Sequence, residues 1–288
     1  MLSRLSAVLL LVACAAGWMA DRPIARPPIE LGGYRVLAAD FHTHSSMWSD
    51  GALTPWGLVL EAERQGLDAI AVTGHNEVID AKVARWFSRL VGGATVLVGQ
   101  EILAPRHHVI AVGVDRLVDS RLSVAAEVED VHRQGGVAIA AHPLTEFWPA
   151  YDAAALAALD GAEICHPVIY NRAENQRTFE AFAAKGAFAA IGSSDFHALS
   201  RLGVCRTFVF ATDNSAASIV DALRAHRTVV YGLEGRAYGD PALIALAATH
   251  PELRASATND PPVTPWDWIS RVAALAGLIG LVAASRGR

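Results

Sequence analysis

Short hydrophobic runs alternate with amphipathic segments through the middle of the chain, from about residue 34 to residue 232. The hydrophobic runs are rich in Val, Ile and Ala and predict β-strands at Val36–His42, Leu67–Thr73, Thr95–Ile102, His108–Val114, Val137–His142, Ala162–His166, Phe188–Ser193 and Val204–Ala211. The amphipathic segments predict helices at Thr54–Gln65, Val78–Leu90, Ser123–Gln134, Asp152–Leu159, Arg172–Lys185 and Ser215–Ala225. This alternation is typical of an α/β fold.

The N-terminal segment has a different pattern, in which a basic residue, Arg4, precedes an apolar stretch from Leu5 to Ala16. That order is typical of an export signal, so we interpret residues 1–20 as a signal peptide or anchor. The stretch Leu11-Val12-Ala13-Cys14 also resembles a bacterial lipobox. In that alternative Cys14 would carry the lipid of a lipoprotein.

The C-terminal segment is the second apolar end. Residues 251–265 contain four prolines and are interpreted as a linker, and residues 266–285 as a transmembrane helix. The uninterrupted apolar run from Val272 to Ala284 has only 13 residues, so the Trp-rich turn before it has to contribute to the roughly 20 residues that a span needs. An amphipathic or core helix is the alternative.

Basic residues flank both apolar ends: Arg4 at one, Arg286 and Arg288 at the other. Because Arg favours the cytoplasmic side, this arrangement places residues 34–250 outside the cytoplasm, on the periplasmic side of the membrane. We therefore expect an exported protein that is tethered by the C-terminal helix, by a lipidated N-terminus, or by both. The membrane is one expected partner.

Composition limits the possible functions. With 288 residues, of which 52% are hydrophobic and 18% charged, the chain is long enough for one large domain, assigned to residues 34–250. The net charge of −5 argues against nucleic acid as a partner. Cys165 and Cys205 lie in apolar contexts and are expected to be buried free thiols, with pairing in an oxidising compartment left open. Without a CxxC motif, any bound metal would be held by other groups.

Groups that bind metals follow almost every predicted strand. They are His42, His44, Asp50, His75, Glu101, His108, His142, Asp195 and His197. In a parallel barrel the carboxyl ends of the strands open on one rim, so these side chains are expected to converge. Imidazole and carboxylate without thiolate suit zinc, manganese or iron, and a glutamate that bridges two ions is usual in multinuclear hydrolytic sites.

The same residues resemble the motifs of the PHP family, the polymerase and histidinol phosphatase domain, and within it the branch of carbaryl-hydrolase-like metalloenzymes. The resemblance covers residues 38 to about 232. It rests on HxH with SDG, on TxHN, on GxE, on a histidine that opens the next strand, on AHP and on GSxDxH. It implies a distorted seven-stranded β/α barrel, similar to a TIM barrel, with two or three divalent ions on its rim.

The resemblance also implies which residues would share an ion. His42, His44, Glu101 and Asp195 would hold the first ion, Glu101, His108 and His142 the second, and Asp50, His75 and His197 the third. His107 competes with its neighbour His108, which the family pattern favours. One position departs from the family, which usually has TDH where this chain has Thr73-Gly74-His75. We expect weaker orientation of His75 as a result, and expect Gly74→Asp to preserve or raise activity.

The expected reaction is hydrolysis of a small ester by hydroxide bound to the metal ions, without a covalent enzyme intermediate, since Ser193-Ser194 lacks a nucleophile motif. A phosphate ester is the leading substrate. Carboxylic or carbamate esters are an alternative, which a scarcity of Lys and Arg near the rim would favour, and so is a non-catalytic metal-binding barrel. Glu101, Asp195 and His166 are the predicted catalytic residues, with His166 as a proton donor. Asn171, Arg172, Arg201 and Arg206 are the predicted substrate-binding residues.

Overall fold

The computed structural model describes residues 2–20, 27–167, 172–198, 200–258 and 263–286. The chain divides into two units, one formed by residues 1–25 with 260–288 and the other by residues 26–259. The helices are α1 (Leu2–Ala20), α2 (Pro55–Arg64), α3 (Ile79–Val91), α4 (Val124–Arg133), α5 (Ala153–Ala158), α6 (Arg172–Ala183), α7 (Ala216–Arg224), α8 (Pro241–Ala247), α9 (Pro251–Thr258) and α10 (Pro265–Arg286).

The strands of the larger unit form one mixed sheet. They are β1 (Ile29–Leu31), β2 (Tyr34–Asp40), β3 (Ala69–Val72), β4 (Thr95–Ala104), β5 (His107–Val112), β6 (Val137–Ala140), β7 (Gly161–Cys165), β8 (Ala189–Gly192), β9 (Thr207–Ala211), β10 (Thr228–Tyr231) and β11 (Ala237–Gly239). Their order is β11-β10-β9-β2-β3-β4-β5-β6-β7-β8, and β1 pairs with β2.

The direction of the strands determines which residues meet. Strands β2, β3 and β4 are parallel, as are β6, β7 and β8. The antiparallel strand β5 lies between these two groups, so all six strands run the same way. Strand β9 is antiparallel to β2. At the far end of the path, the Thr207 hydroxyl of β9 bonds the backbone of Gly192 in β8, at 2.8 and 2.9 Å, so the sheet is nearly closed into a barrel.

Alternate residues of each strand pack on opposite faces of this barrel. In β2, Leu37 and Ala39 belong to an inner apolar cluster, whereas Val36 and Ala38 belong to the layer between the sheet and the helices. Several inner residues are alanines, which leave room in the narrow interior. The six predicted central helices are all present within a few residues of their predicted bounds, and capping residues such as Thr54 begin them (Oγ1 to the Gly57 N–H, 3.1 Å).

Three expectations differ from the structure. The described sheet has eleven strands rather than seven, to which the short strands β1, β10 and β11 contribute. It is mixed rather than parallel, because β5 and β9 run antiparallel to their neighbours β4, β6 and β2. Residues 251–258, the first part of the predicted linker, form helix α9, which buries Leu253 and Ala257 in the core. Cys165 and Cys205 form a disulfide, with Cα atoms 5.5 Å apart, rather than two free thiols. The apolar surroundings indicated burial but not pairing, since the partners are 40 residues apart in the chain.

The smaller unit consists of α1 packed along α10. The Ser270 hydroxyl donates to the carbonyl of Ala13 (2.9 Å), and a Cβ at Gly277 would lie 2.9 Å from Cγ of Leu10. Small residues such as Gly277 and Ser6 therefore allow the two backbones to approach closely, as in paired membrane helices. By length and composition, both helices are long and apolar enough to cross a membrane.

Candidate metal centre

Two histidines that follow strand β2 form the buried part of the site. His42 Nε2 lies 3.2 Å from Asp195 Oδ1 and 3.3 Å from Glu101 Oε2. His44 Nε2 lies 3.0 and 3.5 Å from the same two oxygens. Both imidazoles are fully buried. Two carboxylates and two imidazoles thus face one point inside the barrel mouth.

Glu101, within β4, divides its two carboxylate oxygens between two groups of histidines. Oε1 lies 2.9 Å from Nδ1 of His108 and 3.2 Å from Nε2 of His142. Oε2 faces the first pair of histidines and lies 2.9 Å from Nε2 of His75. This is the geometry that a carboxylate bridging two cations requires.

A third group lies nearer to solvent. Asp50 Oδ1 is 3.2 Å from Nε2 of His197 and 3.7 Å from Nδ1 of His75. The ring of His44 stacks on that of His197, with centroids 4.2 Å apart. The Asp50 side chain is 59% exposed, whereas that of His44 is 0% exposed, so the site opens to solvent on the Asp50 side.

The topology explains why these side chains meet. Strands β2, β3, β4, β6 and β8 end at one edge of the sheet, so the residues after them gather there. His108 lies near the start of β5, and because β5 is antiparallel its start is at the same edge. Two residues at strand ends, His142 (φ 23°) and Asp195 (φ 44°), have left-handed backbone conformations, which L-residues rarely adopt and which concentrate at functional sites.

All nine residues that the sequence proposes as metal ligands lie in this cluster. Their ligand atoms form overlapping groups within 4.8 Å: His44 with Asp50, His75 and His197; His42 with His44 and Glu101; His42 with His142 and Asp195; and Glu101 with His108 and His142. The donor set fits divalent cations, because His42 Nε2 is buried without a hydrogen-bond partner while two carboxylate oxygens face it.

The charges of the cluster shift its pKa values in opposite directions. Burial would lower the pKa of His42, but the carboxylates of Asp195, Glu101 and Glu163 outweigh burial and raise it well above its usual value. Burial would raise the pKa of Glu101, but His42 and neighbouring histidines hold it well below its usual value. Burial lowers the pKa of His44 to about 4. The carboxylates are thus ionised. Protonated His42 balances part of their negative charge, and a bound cation would take the place of that proton.

Glu163, in strand β7, is a part of the site that the sequence analysis missed. Its Oε1 accepts a hydrogen bond from Nδ1 of His42 (3.0 Å) and from the hydroxyl of Ser193, and its Oε2 accepts from the backbone N–H of His142 (2.5 Å). Burial would raise its pKa, but the charge of His42 lowers it to about 2. A charged residue inside the apolar run Gly161–Cys165 was the available signal.

His166 and His107 lie in different surroundings. His166 is 1% exposed, with Nε2 3.3 Å from Asp195 Oδ2, so it lies behind this carboxylate and not at the open mouth. His107 bonds both oxygens of the buried Glu127 at 3.0 Å, on the other face of β5. The cluster therefore contains His108 and not His107, as the sequence analysis favoured.

Two of the three predicted substrate-binding arginines have described side chains, and both contact Gln65. Arg201 donates to the side chain of Gln65 (3.3 Å), and Arg206 donates to the carbonyl of Gln65 (3.2 Å) at the C-terminal end of α2. Arg206 is 1% exposed and also donates to the Gly203 carbonyl, which makes it a buried structural residue. Asn171 and the side chain of Arg172 lie outside the described residues.

The barrel-like mixed sheet, with its cluster of histidines and carboxylates at the mouth, has counterparts among known proteins. Residues 173–228 match the sequence model of the PHP-associated family, and this segment includes Asp195 and His197. A curated relative, an uncharacterized protein of Methanocaldococcus jannaschii, is 26% identical over 117 residues, which cover 37% of this chain and 68% of the relative.

Among solved structures, the chain is similar to a two-domain protein of Bacteroides vulgatus that contains a predicted PHP-like metal-dependent phosphoesterase. The two share 24% identity at a TM-score of 0.57, over 73% of this chain and 69% of the other. A putative metal-dependent phosphoesterase of Bifidobacterium adolescentis gives a TM-score of 0.46 at 19% identity, over 62% of this chain and 92% of the other. The first likeness establishes the fold, and the matched segment is similar to the PHP-associated family over residues 173–228. The carbaryl-hydrolase branch stays a prediction.

Proposed function

We propose that this protein is a metal-dependent hydrolase of small esters. The observation that carries the proposal is Glu101, whose two oxygens face separate groups of histidines at 2.9–3.5 Å in the barrel mouth. A buried carboxylate shared in this way needs compensating positive charge, and two divalent cations would supply it. We propose two or three such ions, of zinc, manganese or iron.

Divalent ions held there would acidify water and neutralise the charge that builds on the ester during hydrolysis. The chain itself supplies the orientation. Glu163 holds the Nδ1 proton of His42, which leaves Nε2 of this histidine free to bind a cation. His166 contacts Asp195 Oδ2 at 3.3 Å from behind. This position favours a role of His166 in orienting Asp195 over the direct proton donation that the sequence predicts.

A phosphate ester is the first proposed substrate, since the solved structure of similar fold contains a predicted phosphoesterase. One observation favours the second candidate, a carboxylic or carbamate ester. Two of the three predicted phosphate-binding arginines, Arg201 and Arg206, bond to Gln65. The side chain of the third, Arg172, lies outside the described residues. Transfer of a dianionic phosphoryl group usually involves such cations, whereas hydrolysis of a neutral ester does not need them.

The test uses two chromogenic esters with the same leaving group, 4-nitrophenyl phosphate and 4-nitrophenyl acetate. The full chain is stripped with a chelator, reloaded with zinc, manganese or ferrous iron, and assayed with each ester. Turnover of the phosphate that is lost with chelator and restored by metal supports the phosphoesterase. Restored turnover of the acetate alone supports the second candidate. Bound metal without turnover of either ester would overturn the hydrolase proposal and leave a non-catalytic metal-binding barrel.

We further propose that the larger unit, residues 26–259, is the catalytic unit and lies outside the cytoplasm. Helices α1 and α10 would anchor it to the membrane. Three observations support this location: both helices are apolar enough to span, Arg4 and Arg286 flank them, and Cys165 and Cys205 form a disulfide, a bond that persists in oxidising compartments. The packing of α1 along α10 favours a retained anchor over a cleaved signal. In that arrangement Cys14 is an exposed residue of the anchor.

A peptide tag placed before α1 distinguishes the alternatives. A retained anchor keeps the tag on the membrane-bound protein, and a protease added outside the cytoplasmic membrane degrades the catalytic unit. Loss of the tag would show cleavage, and the mass of the new N-terminal peptide would then reveal whether Cys14 carries a lipid. Protection of the catalytic unit from external protease would contradict export.

A further inference from the structure

The space beside Gly74 is filled by a carboxylate from the start of helix α3, six residues further along the chain. A Cβ atom at Gly74 would lie 2.8 Å from Oδ2 of Asp80 and 3.3 Å from its Cγ. The first of these distances is shorter than real Cβ contacts allow and the second is tight, so a larger residue at position 74 has to displace Asp80. The backbone of Gly74 is not in the left-handed region, which means that space and not conformation requires glycine here.

Asp80 belongs to the first turn of α3 and is fully buried. Its Oδ2 accepts a hydrogen bond from the Ser45 hydroxyl (3.0 Å), and its Oδ1 lies 2.6 Å from the backbone N–H of Ala81. Burial raises the pKa of this carboxyl to about 6. Burial of a carboxylate costs free energy, which its hydrogen bonds offset only in part, and the proposed chemistry of the barrel mouth does not use Asp80 directly.

The Ser45 bond places Asp80 against the loop that carries Asp50. Ser45 follows His44, and its carbonyl accepts the N–H of Gly51 at 2.9 Å. Ser46 N–H donates to the carbonyl of Leu53 (2.7 Å), which closes the loop on itself. Asp80 therefore holds the start of this loop from one side.

On its other side, Asp80 lies against Gly74, which comes two residues after the end of strand β3 and directly before His75. It thus lies between the two segments that supply Asp50 and His75 to the most exposed group of the cluster. We propose that Asp80 is a positioning residue for the cation site of Asp50, His75 and His197. Gly74, which has no side chain, leaves the space that the carboxylate of Asp80 occupies. The space beside Gly74 holds one carboxylate, and in this chain Asp80 supplies it.

The proposal rests on the metal-dependent function proposed above, and it reverses an expectation from the sequence. The sequence alone suggests that Gly74→Asp restores a missing group and preserves or raises activity. In the structure the new carboxylate would collide with Asp80 and repel it. Gly74→Asp is therefore expected to weaken the site, unless Asp80 is removed at the same time.

The test measures metal binding directly, by equilibrium dialysis of the full chain against Mn²⁺ and metal analysis of the protein. Gly74→Asp and Asp80→Ala are each expected to weaken the last-bound ion by about tenfold or more and to leave the tighter ions in place. The swap Gly74→Asp with Asp80→Gly is expected to recover most of that loss. Asp80→Asn keeps the size of the side chain and controls for folding, as does the thermal unfolding of every variant without metal.

A matched surface change, Asp221→Ala, removes an exposed acid of helix α7 and is expected to bind Mn²⁺ as the parent does. If Gly74→Asp bound Mn²⁺ as the parent does, the pairing of the two positions would be overturned. The same holds if the double variant, Gly74→Asp with Asp80→Gly, lost as much Mn²⁺ affinity as the two single variants combined. A parent chain that binds only two ions with undiminished affinity in all variants would overturn the assigned role of Asp80. A parent chain that binds neither Mn²⁺ nor, in the same dialysis repeated with Zn²⁺, that ion would instead overturn the proposed metal-dependent function itself.

Discussion

Glu163 accepts a hydrogen bond from Nδ1 of His42 at 3.0 Å, and both side chains are completely buried. The bond fixes the tautomer of the imidazole, because the proton has to be on Nδ1 when Glu163 is ionised. Nε2, which faces Glu101 and Asp195, is then the nitrogen whose proton a cation would displace. A carboxylate that touches no proposed substrate thus sets the orientation of a central ligand.

Glu163→Gln is expected to weaken metal binding by about 10- to 100-fold, because the amide neither holds the His42 proton as strongly nor keeps its charge. Metal affinity and kcat are measured on the purified full chain. Glu127→Gln is the matched control, since Glu127 is also a buried glutamate bonded to a histidine, His107, but lies outside the cluster. It is expected to lower stability and leave metal affinity unchanged. Equal effects of the two changes on metal affinity would remove the special role of Glu163.

Glu101→Gln is expected to remove two ions at once and to abolish turnover. The reason is that one carboxylate serves both groups, with Oε1 facing His108 and His142 and Oε2 facing His42, His44 and His75. Metal content per chain and hydrolysis of both nitrophenyl esters check the expectation. Full metal content with full activity would show that Glu101 does not bridge.

Metal binding is expected to release protons at pH 7 and to strengthen as the pH rises above 6.5. Nearby carboxylates raise the pKa of His42 and His142 above the usual 6.5, against the opposing effect of burial. A histidine with a raised pKa stays protonated to higher pH, and a cation has to displace that proton. Affinity therefore falls as the pH is lowered towards and below 6.5. Calorimetry in two buffers of different ionisation enthalpy measures the protons released, and binding heats independent of the buffer would contradict the prediction.

Loss of the disulfide is expected to destabilise the catalytic unit. The Cys165–Cys205 bond joins residues separated by 40 positions, and such a cross-link contributes about 2–4 kcal/mol by restricting the unfolded chain. The variant with both cysteines replaced by serine should unfold at lower denaturant concentration in the absence of metal. Cys14→Ser is the control and should unfold like the parent, since Cys14 lies in α1, outside this unit. Equal stability of parent and double variant would show that the bond contributes nothing.

The strand that precedes His42 and His44 shows what could be predicted from the sequence. His42 and His44 follow an apolar run at a spacing of two, and hydrophobic periodicity alone locates that run to within a few residues. The same reasoning found the six central helices. Local patterns are readable because each depends on neighbours in the chain, whose spacing determines which face they share.

The short strands β10 and β11 and helix α9 were not predicted. Each is only a few residues long, and their stability comes from packing on β9 and the core and not from their own pattern. The local pattern also did not predict the pairing of Cys165 with Cys205 or the position of Arg206 against Gln65. Both depend on the approach of distant segments.

For this protein, the sequence by itself determined the α/β class, the apolar ends and the donor groups, because residue types and their spacing carry that information. The tertiary structure alone decided that Glu163 holds His42, that Asp80 fills the place beside Gly74, and that Arg201 and Arg206 turn to α2. These relationships join positions 6 to 141 residues apart. The contacts that span 121 to 141 residues arise from the closure of the sheet, whereas Gly74 and Asp80, six residues apart, meet through the packing of α3 beside β3. Local propensity encodes neither.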